Sequence, residues 1–337
     1  MGKERVLWID WMKVLAIYLI IAGHLSVPGD HFIYVFSVPA FFILSGLLFK
    51  SEPWSVQLSK IGWNLIVPMA LLFLIDWVFS ILLKIKYFDL HQALMTPVRA
   101  AIGMQGENYG RYGGLGALWF VYTLVICRVL LQGILTIGKE KRVSWALLIV
   151  INAVFLGLGI LYHQKGGNRF NAIIDVLLAF PFFSIGYLLS PVRNRFPRIS
   201  SGWLWASLPF WAFIVWICGR YNDTVYLYNC DYGNNLLLCL TGGVAGFFLL
   251  SGLSLLLERL LGEKRAVRIL GGGTIIILGL HVILVLNYEL FIRTALNPAS
   301  RGFELYVVAL VILLAFIPVI LFCRNHLPLL FGKKRIR

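Results

Sequence analysis

A chain of 337 residues that is 60% apolar, only 13% charged and of mean hydropathy +0.84 cannot be a soluble globular domain. Repeated apolar runs of about twenty residues make it a multi-pass, all-α membrane protein instead. Its formal net charge of +15 would suggest a nucleic-acid partner in a soluble chain, but here the charge must be judged by where the lysines and arginines fall.

Ten spans are expected, at 7–26, 32–49, 61–83, 115–136, 144–162, 171–190, 203–219, 236–257, 270–292 and 303–323. The first is too long for a signal-peptide core and carries Asp10 and Lys13 at its start, so it reads as a retained span. Asp10, Lys13 and His24 share one face of it. His24 stands eleven positions after Lys13, which is about 20° beyond three whole turns and roughly 16 Å of rise. Ionisable groups inside an apolar span are costly, so they are functional candidates by default.

His24 is the leading candidate for a general base, since a neutral imidazole can take a hydroxyl proton near neutral pH. An interhelical hydrogen bond is the competing role. Asp10 is taken with His24 as catalytic, and Lys13 as the residue that meets an anionic ligand. An Asp10–Lys13 ion pair, or a lysine reaching to lipid headgroups, is the plainer alternative.

The second span holds Ser37, Pro39, Ser45 and Gly46. Pro39 should kink the helix and Gly46 should admit a close neighbour, although packing alone would explain both. For Ser37 and Ser45 a packing or backbone-bonding role is favoured over a covalent one. Lys60 precedes the third span. The longest connection, 84–114, ends in a Gly-rich stretch with Asn108, Tyr109, Arg111 and Tyr112, and either folds over a cavity mouth or is a solvated connector. Trp119 opens the fourth span, as an aromatic belt residue or as a stacking surface. Asp76 and Asp175 are polar groups in apolar runs, with cavity lining and pairing both open. His281 lies within the ninth span and either orients His24, contacts an acceptor or bonds a neighbouring helix.

With the amino terminus placed in the cytoplasm, nineteen of the thirty Lys and Arg residues fall on inner segments, among them Lys3, Lys50, Lys60, Arg142, Arg195, Arg268 and Arg324. Both termini are therefore expected inside, and the positive charge needs no nucleic acid. Cys127, Cys218, Cys239 and Cys323 fall in spans and only Cys230 in an outer loop, so no disulfide framework is expected. The scattered histidines offer no metal-binding spacing. No soluble domain fits anywhere, which leaves a single membrane domain, 1–337, containing the long extracytoplasmic loop.

Trp8-Ile9-Asp10, Lys13 and Gly23-His24, followed by Pro39-Ala40-Phe41-Phe42 and Ser45-Gly46, resemble the acyltransferase-3 family of integral membrane acyltransferases, in particular its sugar O-acetyltransferases related to fucose 4-O-acetylase. Lys60 with Pro68, Leu118-Trp119-Phe120, Pro181-Phe182-Phe183 with Gly186-Tyr187, and Gly273-Thr274 with Leu280-His281 continue in the family's order across most of the chain. The resemblance implies about ten transmembrane helices, acyl-CoA as donor, and transfer to a hydroxyl of an extracytoplasmic or lipid-linked glycan. Lys13 and His24 match the family's basic residue and essential histidine. Ser37 stands where many relatives have histidine.

The resulting expectation is an acetyl-CoA-dependent O-acetyltransferase of a bacterial cytoplasmic membrane that modifies a cell-surface carbohydrate. Its partners are acyl-CoA, the glycan acceptor and membrane lipids, with no metal. Lys13 and Lys60 are assigned to the cofactor, and Ser37, Ser45, Arg111, Trp119 and His281 to supporting or acceptor contacts. The rival class is a glycan transporter or flippase in which the intramembrane charges form a proton relay. A third is a sensor that keeps the fold without activity.

Overall fold

A computed structural model describes residues 6–83, 89–91, 94–95, 115–138, 140–166, 172–289 and 302–332. Most of the 84–114 connection, Arg111 included, lies outside the described residues. Those described are helical and contain no strand, with one isolated bridge between Tyr226 and Asp231. Nine of their helices are long and apolar enough to cross a membrane, or ten if one bent pair counts as a single span.

The helices are α1 (Leu7–His24), α2 (Asp30–Leu47), α3 (Trp54–Ile61) and α4 (Val67–Leu83), with a π-helical turn at Gly62–Ile66 between the last two. There follow α5 (Trp119–Ile137), α6 (Lys141–Gln164), α7 (Ala172–Leu189), α8 (Ser201–Tyr221), α9 (Leu236–Leu261), α10 (Arg265–Gly272), α11 (Thr274–Asn287) and α12 (Glu304–His326).

The ninth expected span departs from a straight helix. Its apolar run is split between α10 and α11, which meet at 85°. Gly273 makes the break: its N–H still bonds back to the Ile269 carbonyl at 3.0 Å, while Thr274 Oγ1 donates to the Gly271 carbonyl at 2.9 Å and opens a new helix. A side-chain carbon on Gly273 would stand 2.6 Å from Ile320 Cγ1, so the turn also needs a glycine to pack on α12. The amphipathic α10 buries Val267 and Leu270 and leaves Arg265 and Arg268 exposed.

α1 is the hub of the bundle, packed against α2, α9, α10, α11 and α12. Trp8, Met12, Ile17 and Ile21 are fully buried along it. At its start, Trp8 stacks on Phe196 with centroids 5.5 Å apart and Trp11 Nε1 donates to the Gly262 carbonyl at 3.2 Å. Farther along, the Tyr18 hydroxyl donates to the Tyr306 carbonyl at 3.1 Å. These ties fix the height and rotation of the helix that carries Lys13 and His24.

α2 is held by glycines on both sides. Where it crosses α7, a side-chain carbon on Gly46 would overlap the Phe183 carbonyl, and one on Gly186 would overlap the Ile43 carbonyl. The two backbones touch there, the close approach that small residues permit between membrane helices. On the other side Gly243 of α9 admits Pro39, whose Cβ would be 2.8 Å from a side-chain carbon on that glycine. Pro39 lies inside α2 without ending it.

Candidate active site

His24 is the last residue of α1, and the chain must reverse at once to begin α2. Ser26 at φ 52° and Gly29 at φ 78° make the reversal, with the Ser26 N–H donating to the Gly23 carbonyl at 2.9 Å. The Tyr306 hydroxyl clamps the turn through the Pro28 carbonyl at 2.8 Å. His24 is left at a helix end with its imidazole accessible in a cavity of about 260 Å³. Tyr34 and Val38 of α2, Trp119 at the start of α5, and Val225, Tyr226, Leu227 and Tyr228 contribute most of the remaining wall.

The last four residues belong to the α8–α9 connection, which is stiffened by its own polar side chains. Asn222 is buried, donates from Nδ2 to the Tyr232 carbonyl and accepts from the Asn235 N–H, both at 2.8 Å. Tyr226 and Asp231 exchange backbone hydrogen bonds at 3.0 and 3.1 Å, and Cys230 turns the chain at φ 52°. His163 Nδ1 lies 3.5 Å from Asp231 Oδ1, which ties this loop to the end of α6. The loop thus presents Tyr226 and Tyr228 with centroids 5.5 Å apart, Tyr226 standing 5.3 Å from Tyr34 and Tyr228 6.3 Å from Trp119. Burial raises both loop phenols above the ordinary tyrosine value, so they remain neutral hydroxyl groups.

Behind His24 stands a second imidazole. His281 of α11 is fully buried, with its ring centroid 5.1 Å from that of His24 and the planes tilted by 48°. His281 Nδ1 lies 2.9 Å from the Ile277 carbonyl and 3.1 Å from that of Leu278. Both partners are acceptors, so Nδ1 carries the proton and Nε2 carries the lone pair. That Nε2 is buried with no hydrogen-bond partner among the described residues.

The other sequence-derived candidates are spread out. Trp119, 8% exposed, joins His24 and His281 at this end of the bundle. Asp10 is buried at the other end of α1, against Gly271, on which a side-chain carbon would lie 3.0 Å from Asp10 Oδ1. His24 stands fourteen positions farther along, about 21 Å of helix. Lys13 is half-buried one turn beyond Asp10. Lys60 is ion-paired with Glu52, whose backbone is bonded by the Gln132 side chain of α5 at 2.9 Å. Ser37 is buried with its hydroxyl unpartnered among the described residues. Ser45 is half-buried, seven residues past Val38 and therefore about 10 Å along α2 from the cavity wall.

Tyr34, Tyr226 and Tyr228 were not singled out by sequence reasoning. The Tyr226-Leu227-Tyr228 alternation in a short polar connection was the available signal. Asp175, also on α7 and fully buried, has both carboxylate oxygens without a hydrogen bond among the described residues.

What the arrangement offers is one accessible imidazole backed by a second, at the floor of an aromatic cavity, on a helix whose opposite end is polar and beside arginines. No solved structure and no curated protein matches the chain. A family described as "Acyltransferase domain" matches residues 6–324, nearly the whole chain, and with that match the chain belongs to the acyltransferase-3 family of membrane acyltransferases.

Proposed function

We propose that this protein is an O-acyltransferase that moves an acyl group, in the first instance acetyl, from acyl-CoA to a hydroxyl of a carbohydrate acceptor, with His24 as general base. One observation carries the reading: the accessible imidazole of His24 lines an aromatic cavity and stands 5.1 Å from a second imidazole whose proton is held on the backbone side. The aromatic wall of Trp119, Tyr34, Tyr226 and Tyr228 suits the apolar face of a sugar ring, and the phenolic hydroxyls suit its polar rim.

In this mechanism His24 accepts the proton of the acceptor hydroxyl as its oxygen attacks the thioester carbonyl. The tetrahedral intermediate collapses with cleavage of the C–S bond, and the departing thiolate takes the proton from the His24 imidazolium. The unpartnered His281 Nε2, on the imidazole whose centroid is 5.1 Å from that of His24, is the acceptor available to the His24 imidazolium that arises in between. Direct transfer is preferred to an acyl-enzyme because Ser45 lies well away from the cavity and Ser37 is buried. Lys13 faces the donor. The basic end of the bundle is assigned to the cytoplasm, so donor and acceptor approach from opposite sides of a bacterial cytoplasmic membrane.

The test compares wild-type protein with His24→Ala, following acetylation of cell-surface glycans by mass spectrometry and folding by size-exclusion chromatography. Transfer should drop by about 10²- to 10⁴-fold with the protein still monodisperse. Undiminished acetylation by the variant would rule His24 out as the base. Glycan translocation into vesicles without acyl-CoA would favour the transporter class.

A further inference from the structure

A second recess lies at the opposite end of α1, away from the reacting groups. Where α10 meets the end of α12, two adjoining hollows of about 220 and 560 Å³ share Arg268, Ile269, Leu321 and Arg324. Arg265 and Glu263 line the larger, and Ile320, Pro328 and Phe331 the smaller. Arg265 and Arg268 are three residues apart on α10, on one face of the helix, while Arg324 comes from the last turn of α12. Orientation by loop charge needs basic residues on one side of the membrane but no shape. Here three arginines from two helices converge on one hollow whose remaining wall is apolar apart from Glu263.

We propose that this groove is a phosphate-binding site for a partly apolar molecule, with Arg265, Arg268 and Arg324 as its anion contacts. Guanidinium groups match phosphate oxygens in charge and in planar, two-pronged donor geometry. One carboxylate opposes them: Glu263 Oε1 lies 3.0 Å from Arg268 Nη1. The pair is half-exposed on both sides, so it is weak and open to exchange for a phosphate.

Two sources present this chemistry, the nucleotide end of an acyl-CoA and the headgroup of an anionic phospholipid. Position favours the first. Gly271 of α10 packs on Asp10, and the helix rising from that contact reaches His24 after about 21 Å. A donor held by its phosphates at the groove would have to span that distance with an extended arm to bring its thioester to the base. This assignment of the nucleotide rests on the acyltransferase reading, whereas the phosphate site does not.

The test uses purified full-length protein in neutral detergent with three probes: coenzyme A, pantetheine, which lacks the phosphates, and phosphatidylglycerol. For the nucleotide source, Arg268→Gln with Arg324→Gln should weaken coenzyme A by about tenfold or more and leave pantetheine unchanged. Glu263→Gln should tighten coenzyme A by about threefold, a gain that misfolding cannot produce. If coenzyme A binding is indifferent to these changes while the double variant loses retained phosphatidylglycerol in native mass spectrometry, the site is a lipid phosphate site. A wild-type protein that binds no coenzyme A defeats the acyl-CoA reading and leaves the lipid arm to decide the groove. Wild-type levels of both ligands on the double variant overturn the proposal.

Discussion

An imidazole nitrogen buried without a hydrogen bond costs about 1–3 kcal/mol, which a membrane core has no water to offset. His281 carries such a nitrogen beside His24, although its other nitrogen is well satisfied by the Ile277 carbonyl. A purely structural histidine needs only that backbone bond. His281→Asn separates the two roles, because its amide can still donate near the Nδ1 position while nothing replaces Nε2. We expect His281→Asn to leave the melting temperature within a few degrees of wild type and to lower kcat by about tenfold to a hundredfold with KM for the donor little changed. Wild-type turnover by that variant would reduce His281 to a packing residue. The pairing was only partly legible beforehand: helical periodicity put Lys13 and His24 on one face, but the partner comes from α11, far along the chain, and periodicity carries no information across that distance. Tyr226 and Tyr228 were less visible still, since an ordinary connecting loop becomes a cavity wall only once Asn222 and Asp231 have folded it over the helix end.

At the scale of elements, two weak sequence signals become the halves of one crossing. Gly46 and Gly186 lie where α2 and α7 touch backbone to backbone, and this contact sets the tilt of α2 and with it the placement of Tyr34 and Val38. Gly186→Val puts two methyl groups where the Ile43 carbonyl lies and has no flexible neighbour to displace. Overpacking of this kind costs about 1–3 kcal/mol or more, and we expect a melting temperature lowered by several degrees in detergent and a smaller yield of monodisperse protein. A side chain tolerated there without change would mean that α2 and α7 do not cross at these glycines. The number and order of apolar spans were legible because a bilayer demands long hydrophobic helices. The 85° break at Gly273 was not, since the stretch across it, Leu270 to Leu280, carries no charged residue. Hydropathy does not register a turn made by three glycines, a threonine cap and the proximity of Ile320.

For the whole molecule, the proposed transfer depends on which end of the bundle faces which compartment. The Arg-bearing groove and Asp10 lie at one end of the bundle, and the His24 cavity with its tyrosine loop at the other. In the proposed orientation, drawn from the loop charges, the basic end faces the cytoplasm and its acyl-CoA, and the aromatic cavity faces the acceptor. Asp223 and Lys264 are exposed residues at the two ends, and all five native cysteines are buried, so single introduced thiols can report orientation. In intact cells a membrane-impermeant thiol reagent should label Asp223→Cys and spare Lys264→Cys, and permeabilisation should expose the latter. The reverse pattern would put the tyrosine loop in the cytoplasm and the arginines outside. Donor and acceptor would then have to exchange ends, and a path along α1 from the groove to His24 would no longer connect the donor's compartment to the base. Equal labelling of both in intact cells would instead mean that one of the two connections does not lie where the alternation of spans requires. The labelling pattern therefore decides between a transfer that runs across the membrane along α1 and a chemistry confined to one face.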